Sequence, residues 1–283
     1  MTDSVFFSAA PILNHRHQGW EKMDDQEVAG LVNGIAEEMQ NYLNEFYNHL
    51  AKRVFNLDKH RFEVKKEFVS KSGIWIAKKR YAQWIISDNG VAVDKLDVKG
   101  LDVVRSSFPK AFRKLMSKVL IDILKGNEKK DVTKVISSFR DELPNLSISE
   151  IAKNSSVKGL KKYAPKEKTM FKFNKSTPAH VKAAIAYNQM LIHFNAAYKY
   201  SPFKDGDKLK WVYLKNNPFG LSGLGFSAYR DPDEVIEFIE NYIDYDKIFE
   251  RELLNKLQDF YDTLGWGEVI NSQEAASEFF DFG

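Results

Sequence analysis

The stretch after Met23 reads DDQEVAGLVNGIAEEMQNYLNEFYNHLAKRVF, from residue 24 to residue 55, and it is the strongest structural signal in the chain. Its apolar residues recur at spacings of three and four, which predicts one long amphipathic helix. Asp24 and Asp25 provide a capping side chain and negative charge at the helix start, where both are favourable. The apolar positions are Val28, Leu31, Val32, Ile35, Met39, Tyr42, Leu43, Phe46 and Leu50.

Strand-like segments lie on the C-terminal side of this helix. Asp88-Asn89-Gly90 has the composition of a hairpin turn, and strands are predicted around it. The predicted strands cover residues 62–69, 74–76, 81–86 and 91–93. Residues 2–10 also change from polar to apolar, as a strand leaving a turn would. A long helix followed by a small antiparallel sheet is an α+β module.

The chain becomes mainly helical after residue 98. Pro109 is suited to a helix start and Gly126 to a helix end. Further helices are predicted at residues 131–143, 178–195 and 232–264, the last broken near Asp244–Asp246. Residues 153–175 show little periodicity, while residues 208–214 are strand-like and precede a turn cluster at 216–220. The predicted architecture is an α+β module followed by a mainly helical domain.

Composition limits the classes of protein to which the chain can belong. It has 283 residues, 43% of them hydrophobic and 29% charged, as in a folded protein of one or two domains. No apolar run approaches the roughly 20 residues needed to cross a bilayer. The N-terminus, MTDSVFFSAAP, lacks the basic start of a signal peptide. Zero cysteines exclude disulfides and thiolate chemistry, so a reducing cytoplasm is the expected setting.

The charge is distributed unevenly along the chain. Residues 153–175 contain eight lysines and one glutamate, whereas residues 231–283 contain fifteen acids and three basic residues. A basic segment is suited to a polyanion, because lysine and arginine displace counterions from phosphates. A solvated lysine-rich surface is the alternative interpretation. The acidic end is not expected to lie on DNA.

Three motifs follow one another along the chain: Thr2-Asp3-Ser4, Lys78-Lys79-Arg80-Tyr81 and residues 100–110. In this order they resemble motifs of family B DNA polymerases, in particular the T-even phage-like replicative enzymes. Thr2-Asp3-Ser4 resembles the second half of the Tyr-Gly-Asp-Thr-Asp-Ser signature, and Lys78-Lys79-Arg80-Tyr81 resembles the lysine motif of the palm. Residues 100–110 resemble the palm-to-thumb junction. Residues 177–188, residues 217–220 and the Phe-Asp-Phe ending are similar to the phage group.

The resemblance implies that this chain is the C-terminal part of such a polymerase. Residues 1–102 would be the second half of the palm, residues 103–270 the thumb, and residues 271–283 a flexible tail. Met1 stands where the signature has aspartate. This position is interpreted as a break in the active-site turn, from a split gene or an expressed fragment.

The resemblance also implies a catalytic role for the first residues. Nucleotidyl transfer uses two Mg²⁺ ions about 3.5–4 Å apart, bridged by carboxylates. Asp3, flanked by Thr2 and Ser4, would supply one bridging carboxylate. Glu67 matches a palm glutamate near the catalytic centre, and a purely structural salt bridge is the alternative for Glu67. The family's other bridging aspartate belongs to an earlier motif that this sequence lacks. The chain is therefore expected to act on primer-template DNA and deoxynucleoside triphosphates only with an N-terminal polymerase half.

The lysine motif is implied to contact DNA. Strand alternation would place Lys79 and Tyr81 on one face and Lys78 and Arg80 on the other. In the family a lysine here enters the minor groove; Lys79 is the first choice, Lys78 the second, and Arg80 a phosphate or structural contact. A solvated basic strand is the alternative. The implied phosphate contacts of the thumb are Arg105, Ser106, Lys110, Lys158, Lys161 and Lys162.

The last residues form an aromatic cluster. Phe279, Phe280 and Phe282 follow a polar linker at the terminus, and the resemblance implies that they bind a sliding clamp. A core position is the alternative for these side chains. A second interpretation of the whole chain is a non-catalytic module that binds DNA and tethers the clamp. No membrane partner is expected, and a phage-encoded chain would reside in the host cytoplasm.

Overall fold

The computed structural model describes residues 4–163 and 170–269, which form two compact units. The first unit contains the chain up to Trp75 together with Tyr81–Val98. The second contains Ile76–Arg80 and the chain from Lys99 onward. The described residues contain helices and two three-stranded sheets, which confirms the α+β class. None of the described helices is long and apolar enough to cross a membrane.

The long helix predicted from the sequence dominates the first unit. The carboxylate of Asp24 accepts hydrogen bonds from the N–H groups of Gln26 and Glu27, and the Glu27 carboxylate accepts one from the Asp24 N–H, a reciprocal capping box. The helix ends at Phe55, before a left-handed Asn56. Helices and strands here are α1 (Ala10–Arg16), α2 (Asp25–Phe55), β1 (Phe68–Ala77), β2 (Arg80–Asp88) and β3 (Val91–Lys99).

The first sheet has the order β1-β2-β3 and is joined by two-residue loops, so neighbouring strands are antiparallel. The β2–β3 loop, Asn89-Gly90, has positive φ at both residues, as a type I′ turn requires. The prediction of separate strands at 62–69 and 74–76 is wrong, because β1 is continuous through Gly73. A β-carbon there would lie 2.4 Å from the Trp75 ring, so glycine makes room for that side chain.

The predicted strand over residues 2–10 is also wrong where the structure describes it. Residues 4–9 form no regular structure, and α1 begins at Ala10. Phe6 packs through its side chain instead of pairing in a strand, while Val5 and Phe7 are more exposed. The Phe6 ring lies 5.4–5.9 Å from the ring centroids of Phe68, Trp75 and Tyr81.

The second unit has a helical layer around a small sheet. The helix predicted after Pro109 is present, and it is followed by Gly126 at a positive φ of 84°. The broad prediction at 232–264 is confirmed with its break, since Ile243 and Asp244 interrupt the helix. Helices of this unit are α3 (Lys110–Leu124), α4 (Lys129–Glu142), α5 (Ile148–Ile151), α6 (Leu160–Tyr163), α7 (Ala179–His193), α8 (Asp233–Tyr242), α9 (Tyr245–Phe249) and α10 (Asn255–Leu264).

The second unit also contains an antiparallel sheet with the strand order β4-β5-β6. It consists of β4 (Lys153–Ser156), β5 (Lys208–Tyr213) and β6 (Gly223–Phe226). The start of the lysine-rich stretch therefore pairs as a strand, Lys153 opposite Trp211, although its sequence predicted irregular structure. α7 packs closely on β6, where a β-carbon on Gly225 would lie 3.1 Å from the Ala183 carbonyl oxygen. Pairing with β5, not local periodicity, makes β4 a strand.

Candidate nucleic-acid interface

The loop between β1 and β2 presents two lysines to solvent. Lys78 and Lys79 are its two residues, and both are exposed. Lys79 adopts a φ of 63°, a left-handed conformation that costs a non-glycine residue roughly 1–2 kcal/mol. The prediction that Lys79 and Tyr81 share a strand face is wrong, because Lys79 lies in the turn, where strand alternation does not apply. Tyr81 lies in β2, half-buried against Phe6.

The backbone of this loop packs against Gly100. A β-carbon at position 100 would lie 2.0 Å from the carbonyl oxygen of Lys79, and Gly100 itself has a φ of 67°. Glycine is therefore needed at this position for two reasons, the close approach of the Lys79 carbonyl group and the left-handed conformation. The neighbouring Leu101 and Val103 are buried, which fixes the Gly100 segment in the core of the second unit.

Asp102 is the centre of an ion-pair network beside the loop. Its carboxylate lies 2.9 Å from Lys256 Nζ and 2.8 Å from the Arg105 guanidinium. Partial burial raises the pKa of this carboxyl, but the hydrogen bond and charge of Lys256 and the charge of Arg105 outweigh it, so the pKa lies below its ordinary value. Asp102 is therefore held as a carboxylate.

Arg80 has a partner on α10. Its guanidinium donates a hydrogen bond of 2.9 Å to the carboxylate of Asp259, and both side chains are almost half exposed. Lys256 and Asp259 are one turn apart on α10, so a single helix contacts both Asp102 and Arg80. A small cavity of about 130 Å³ is lined by residues of this helix and of the 101–103 segment.

Arg105 and Ser106 precede α3, and Lys110 begins it; all three are exposed. Arg113 donates hydrogen bonds to the carbonyl oxygen of Arg105 at 2.7 Å and to that of Phe108 at 3.1 Å, which fixes this turn. Burial, and then the charge of Lys110, lower the pKa of Lys210. Arg105, Lys110 and Arg113 thus place three basic side chains around the start of α3, where Lys110 Nζ lies 3.6 Å from the Glu150 carboxylate.

The other predicted phosphate contacts lie around α6. Lys158 precedes this short helix, and Lys161 and Lys162 belong to it, all three exposed. The Leu160 N–H donates a hydrogen bond to the Asp205 carboxylate at 2.8 Å, so the helix start is anchored to the segment before β5. These lysines and the Lys78-Lys79 loop lie on separate segments of the second unit.

A buried acid was missed by the sequence analysis. Glu252 is 1% exposed, and its carboxylate lies 2.7 Å from Lys153 Nζ and 3.6 Å from Lys256 Nζ. Lys153 also lies 5.5 Å from the Trp211 ring centroid. Burial, and then the charge of Lys153, lower the pKa of His180. A lysine counted only as part of a basic stretch is therefore an interior ion-pair partner.

The predicted catalytic and clamp-binding residues are only partly described. Thr2, Asp3, Phe279, Phe280 and Phe282 lie outside the described residues. Ser4 is exposed. The Glu67 carbonyl oxygen accepts a hydrogen bond of 2.6 Å from the Asn89 N–H, just before β1 begins.

Possible metal ligands were sought among the same residues. Within 4–163 and 170–269, no group of three or more His, Asp or Glu side chains could hold a metal ion. The predicted Mg²⁺ ligands, Asp3 and Glu67, therefore remain a prediction. Asp3 lies outside the described residues, and Glu67 does not belong to such a group.

The family follows from the sequence as a whole. Residues 33–262 match the sequence model of DNA polymerase family B, and the chain belongs to this family. The matched range includes the lysine loop, Gly100, the Asp102 network and most of α10. The resemblance inferred from the order of the motifs is therefore confirmed.

Two phage proteins are similar to nearly all of the chain. The DNA-directed DNA polymerase of Enterobacteria phage T4 is 24% identical over 296 residues, which cover 100% of this chain and 31% of that protein. The DNA-directed DNA polymerase of Escherichia phage RB69 is 23% identical over 277 residues, 92% of this chain and 29% of that protein. The chain thus spans less than a third of the length of these relatives.

Proposed function

We propose that this chain is the C-terminal part of a DNA-directed DNA polymerase and supplies its contacts to the primer-template duplex. The observation that carries the proposal is the Lys78-Lys79 loop, two exposed lysines on a backbone packed against Gly100. Membership of DNA polymerase family B makes primer-template DNA the proposed ligand of this loop. The phage relatives are named DNA-directed DNA polymerases. Residues 1–102 would be a palm half and residues 103–270 a thumb.

The loop is suited to a contact that does not depend on sequence. Minor-groove acceptors occur at similar positions in all base pairs, so a lysine there senses pairing geometry and not base identity. Lys79 would make this contact, with Lys78 as the alternative. A defined backbone matters, because a mobile lysine could not distinguish a paired terminus from a distorted one.

Other exposed basic groups would hold the duplex through its phosphates. Such contacts position DNA without reading its sequence. Arg105, Ser106 and Lys110 would form one group near the start of α3. Lys158, Lys161 and Lys162 would form the other around α6. Arg80, whose guanidinium is paired with Asp259, would be a phosphate or structural contact.

The catalytic centre would be shared with an N-terminal polymerase half. Asp3, flanked by Thr2 and Ser4, would hold Mg²⁺ together with acids of that half, with Glu67 nearby. When bound, two such ions would activate the primer 3′-oxygen and bind the triphosphate. This chain's own residues would position the duplex so that the primer terminus reaches Asp3. The expected setting is the cytoplasm of a host cell.

Phe279, Phe280 and Phe282 would add a sliding-clamp contact. Burial of one Phe side chain contributes roughly 1.5–3 kcal/mol, and ordering of the tail offsets much of it. A weak contact of this kind would act through effective concentration near the primer end. Deletion of residues 277–283 should shorten products only when a clamp is loaded, and should leave the melting temperature unchanged.

Reconstitution tests the proposal. The chain is mixed with the N-terminal half of a phage family B polymerase, and extension of a labelled primer is followed with Mg²⁺. We expect extension by the pair and none by the chain alone. Asp3→Asn should reduce turnover by orders of magnitude and leave DNA binding nearly unchanged.

Two outcomes would contradict this arrangement. A chain that extends primers by itself would exclude a shared site. DNA and clamp binding without extension in any mixture would favour a non-catalytic tethering module.

A further inference from the structure

We infer that α10 is the positioning element of the lysine loop, acting through Asp259 and Lys256. The inference rests on the proposed function for the meaning of the loop, but its structural part stands on contacts within the second unit. Asp259 binds Arg80, the residue that follows the loop. Lys256, one helical turn earlier, binds Asp102, two residues after Gly100.

The two contacts hold both chain segments that form the loop's base. Arg80 follows Lys79 directly, and Gly100 packs on the Lys79 carbonyl oxygen. A shift of α10 would therefore act on Lys79 from the Arg80 side and, through Asp102, from the Gly100 side.

The helix itself is firmly held. Leu257 and Phe260, at 0% and 3% exposure, fix α10 in the core, so its polar face is a rigid reference. Lys256 also approaches Glu252, the buried partner of Lys153 in β4. A line of alternating charges thus runs from the second sheet through α10 to the segment beside the loop.

Asp259 is a positioning residue here, not a catalytic one, since its carboxylate binds Arg80. Its removal should loosen the loop while α10 stays folded. A half-exposed ion pair is modest, so we expect effects of about two- to five-fold, not a loss of the fold.

Amide hydrogen exchange of the full chain gives a readout that does not need polymerase activity. In Asp259→Ala, peptides covering residues 76–82 should exchange about two- to five-fold faster, because the loop opens more often. Asp262→Ala is the matched control, the same charge one turn along the helix, where the carboxylate accepts a hydrogen bond from Gln258. Unchanged exchange in Asp259→Ala would overturn the inference, whatever the chain does with DNA.

Charge exchange separates pairing from general disruption. Arg80→Asp and Asp259→Arg should each loosen the loop, and the double variant should restore slow exchange. No restoration in the double variant would show that the pair itself does not hold the loop.

In the reconstituted polymerase, Asp259→Ala should slow extension from a mispaired terminus more than it weakens duplex binding. Faster hydrogen exchange of the loop with unchanged primer extension would show that α10 does not influence DNA synthesis through the loop. If no mixture extends primers, the proposed function fails, and hydrogen exchange still decides the structural part.

Discussion

The carbonyl oxygen of Lys79 occupies the space in which a side chain at Gly100 would begin, 2.0 Å from the position of its β-carbon. Two segments separated by the whole of β2 and β3 therefore depend on one another. The lysine motif and the junction motif are recognised separately in the sequence, but they form a single structural feature of the second unit.

Gly100→Ala should lower the free energy of unfolding by about 2 kcal/mol or more. The added β-carbon would clash with the Lys79 carbonyl group, which cannot rotate away as a side chain could. The positive φ adds strain. Gly126→Ala is the control, since its φ of 84° carries the conformational cost while nothing lies within 4 Å. It should cost about 1 kcal/mol in urea unfolding. Equal losses in the two variants would mean that the Lys79 contact is relieved without cost.

Lys79→Ala should impair extension from a mispaired or freshly added terminus more than it impairs binding of the duplex. A minor-groove donor senses only the last few pairs, whereas the proposed phosphate contacts would lie along the rest of the duplex. We expect a loss of about ten-fold in extension, equivalent to one charge-assisted hydrogen bond, and little change in the salt dependence of binding. Lys158→Ala is the control. If both variants weaken binding alike and nothing else, Lys79 is merely one more phosphate contact.

Replacing Lys158, Lys161 and Lys162 together by glutamine should flatten the plot of log affinity against log salt. Each lost phosphate contact reduces the slope by about 0.9, because fewer counterions are released. The measurement is a fluorescence titration of labelled primer-template DNA with the chain between low and moderate salt. The control is a triple replacement of Lys129, Lys130 and Lys134, all in α4, by glutamine, which makes the same change in charge. The same slope in both triple variants would place the DNA surface elsewhere.

Asp102→Asn should destabilise the chain at neutral pH and have little effect in acid. The folded-state pKa of Asp102 lies below its ordinary value of about 3.9, so the carboxylate contributes stability above that pH. This contribution is lost as pH falls through the folded-state pKa. A partly exposed network supports a difference of about 1 kcal/mol or less, measurable by urea unfolding at pH 7 and below pH 4. A constant difference across this range would contradict it, and Asp262→Asn should change little at either pH.

Patterns within one segment allowed much of the fold to be predicted. The Asp24 cap, the α2 stripe, the Asn89-Gly90 hairpin and the break near Asp244 all depend on neighbours a few residues apart. β4 could not be predicted, because its four residues become a strand only by pairing with β5. Likewise, Gly73 indicates a strand break in the sequence, because only the structure shows that the Trp75 ring needs the space beside it.

The candidate site divides in the same way. Lys78, Lys79 and Arg105 stand out in the sequence as basic residues in recognisable motifs. Asp259 and Lys256 do not, since they belong to an acidic helix far along the chain. The Arg80–Asp259 contact joins residues 179 positions apart, and no local pattern records such a pairing. Lys153 was misjudged for a related reason: its buried partner, Glu252, is 99 positions away.

The five residues Glu250–Leu254 form a π-helical turn directly before α10. Such a turn holds one residue more than an α-helical turn of the same span. Deleting one residue from it would restore a continuous α-helix and leave the residues downstream on the same faces. Lys256 and Asp259 would then still face Asp102 and Arg80. A deletion inside α10, between Lys256 and Asp259, would instead rotate one of these side chains by about 100° relative to the other. This chain should therefore tolerate the loss of one residue in the π-helical turn far better than the loss of one residue a turn further along.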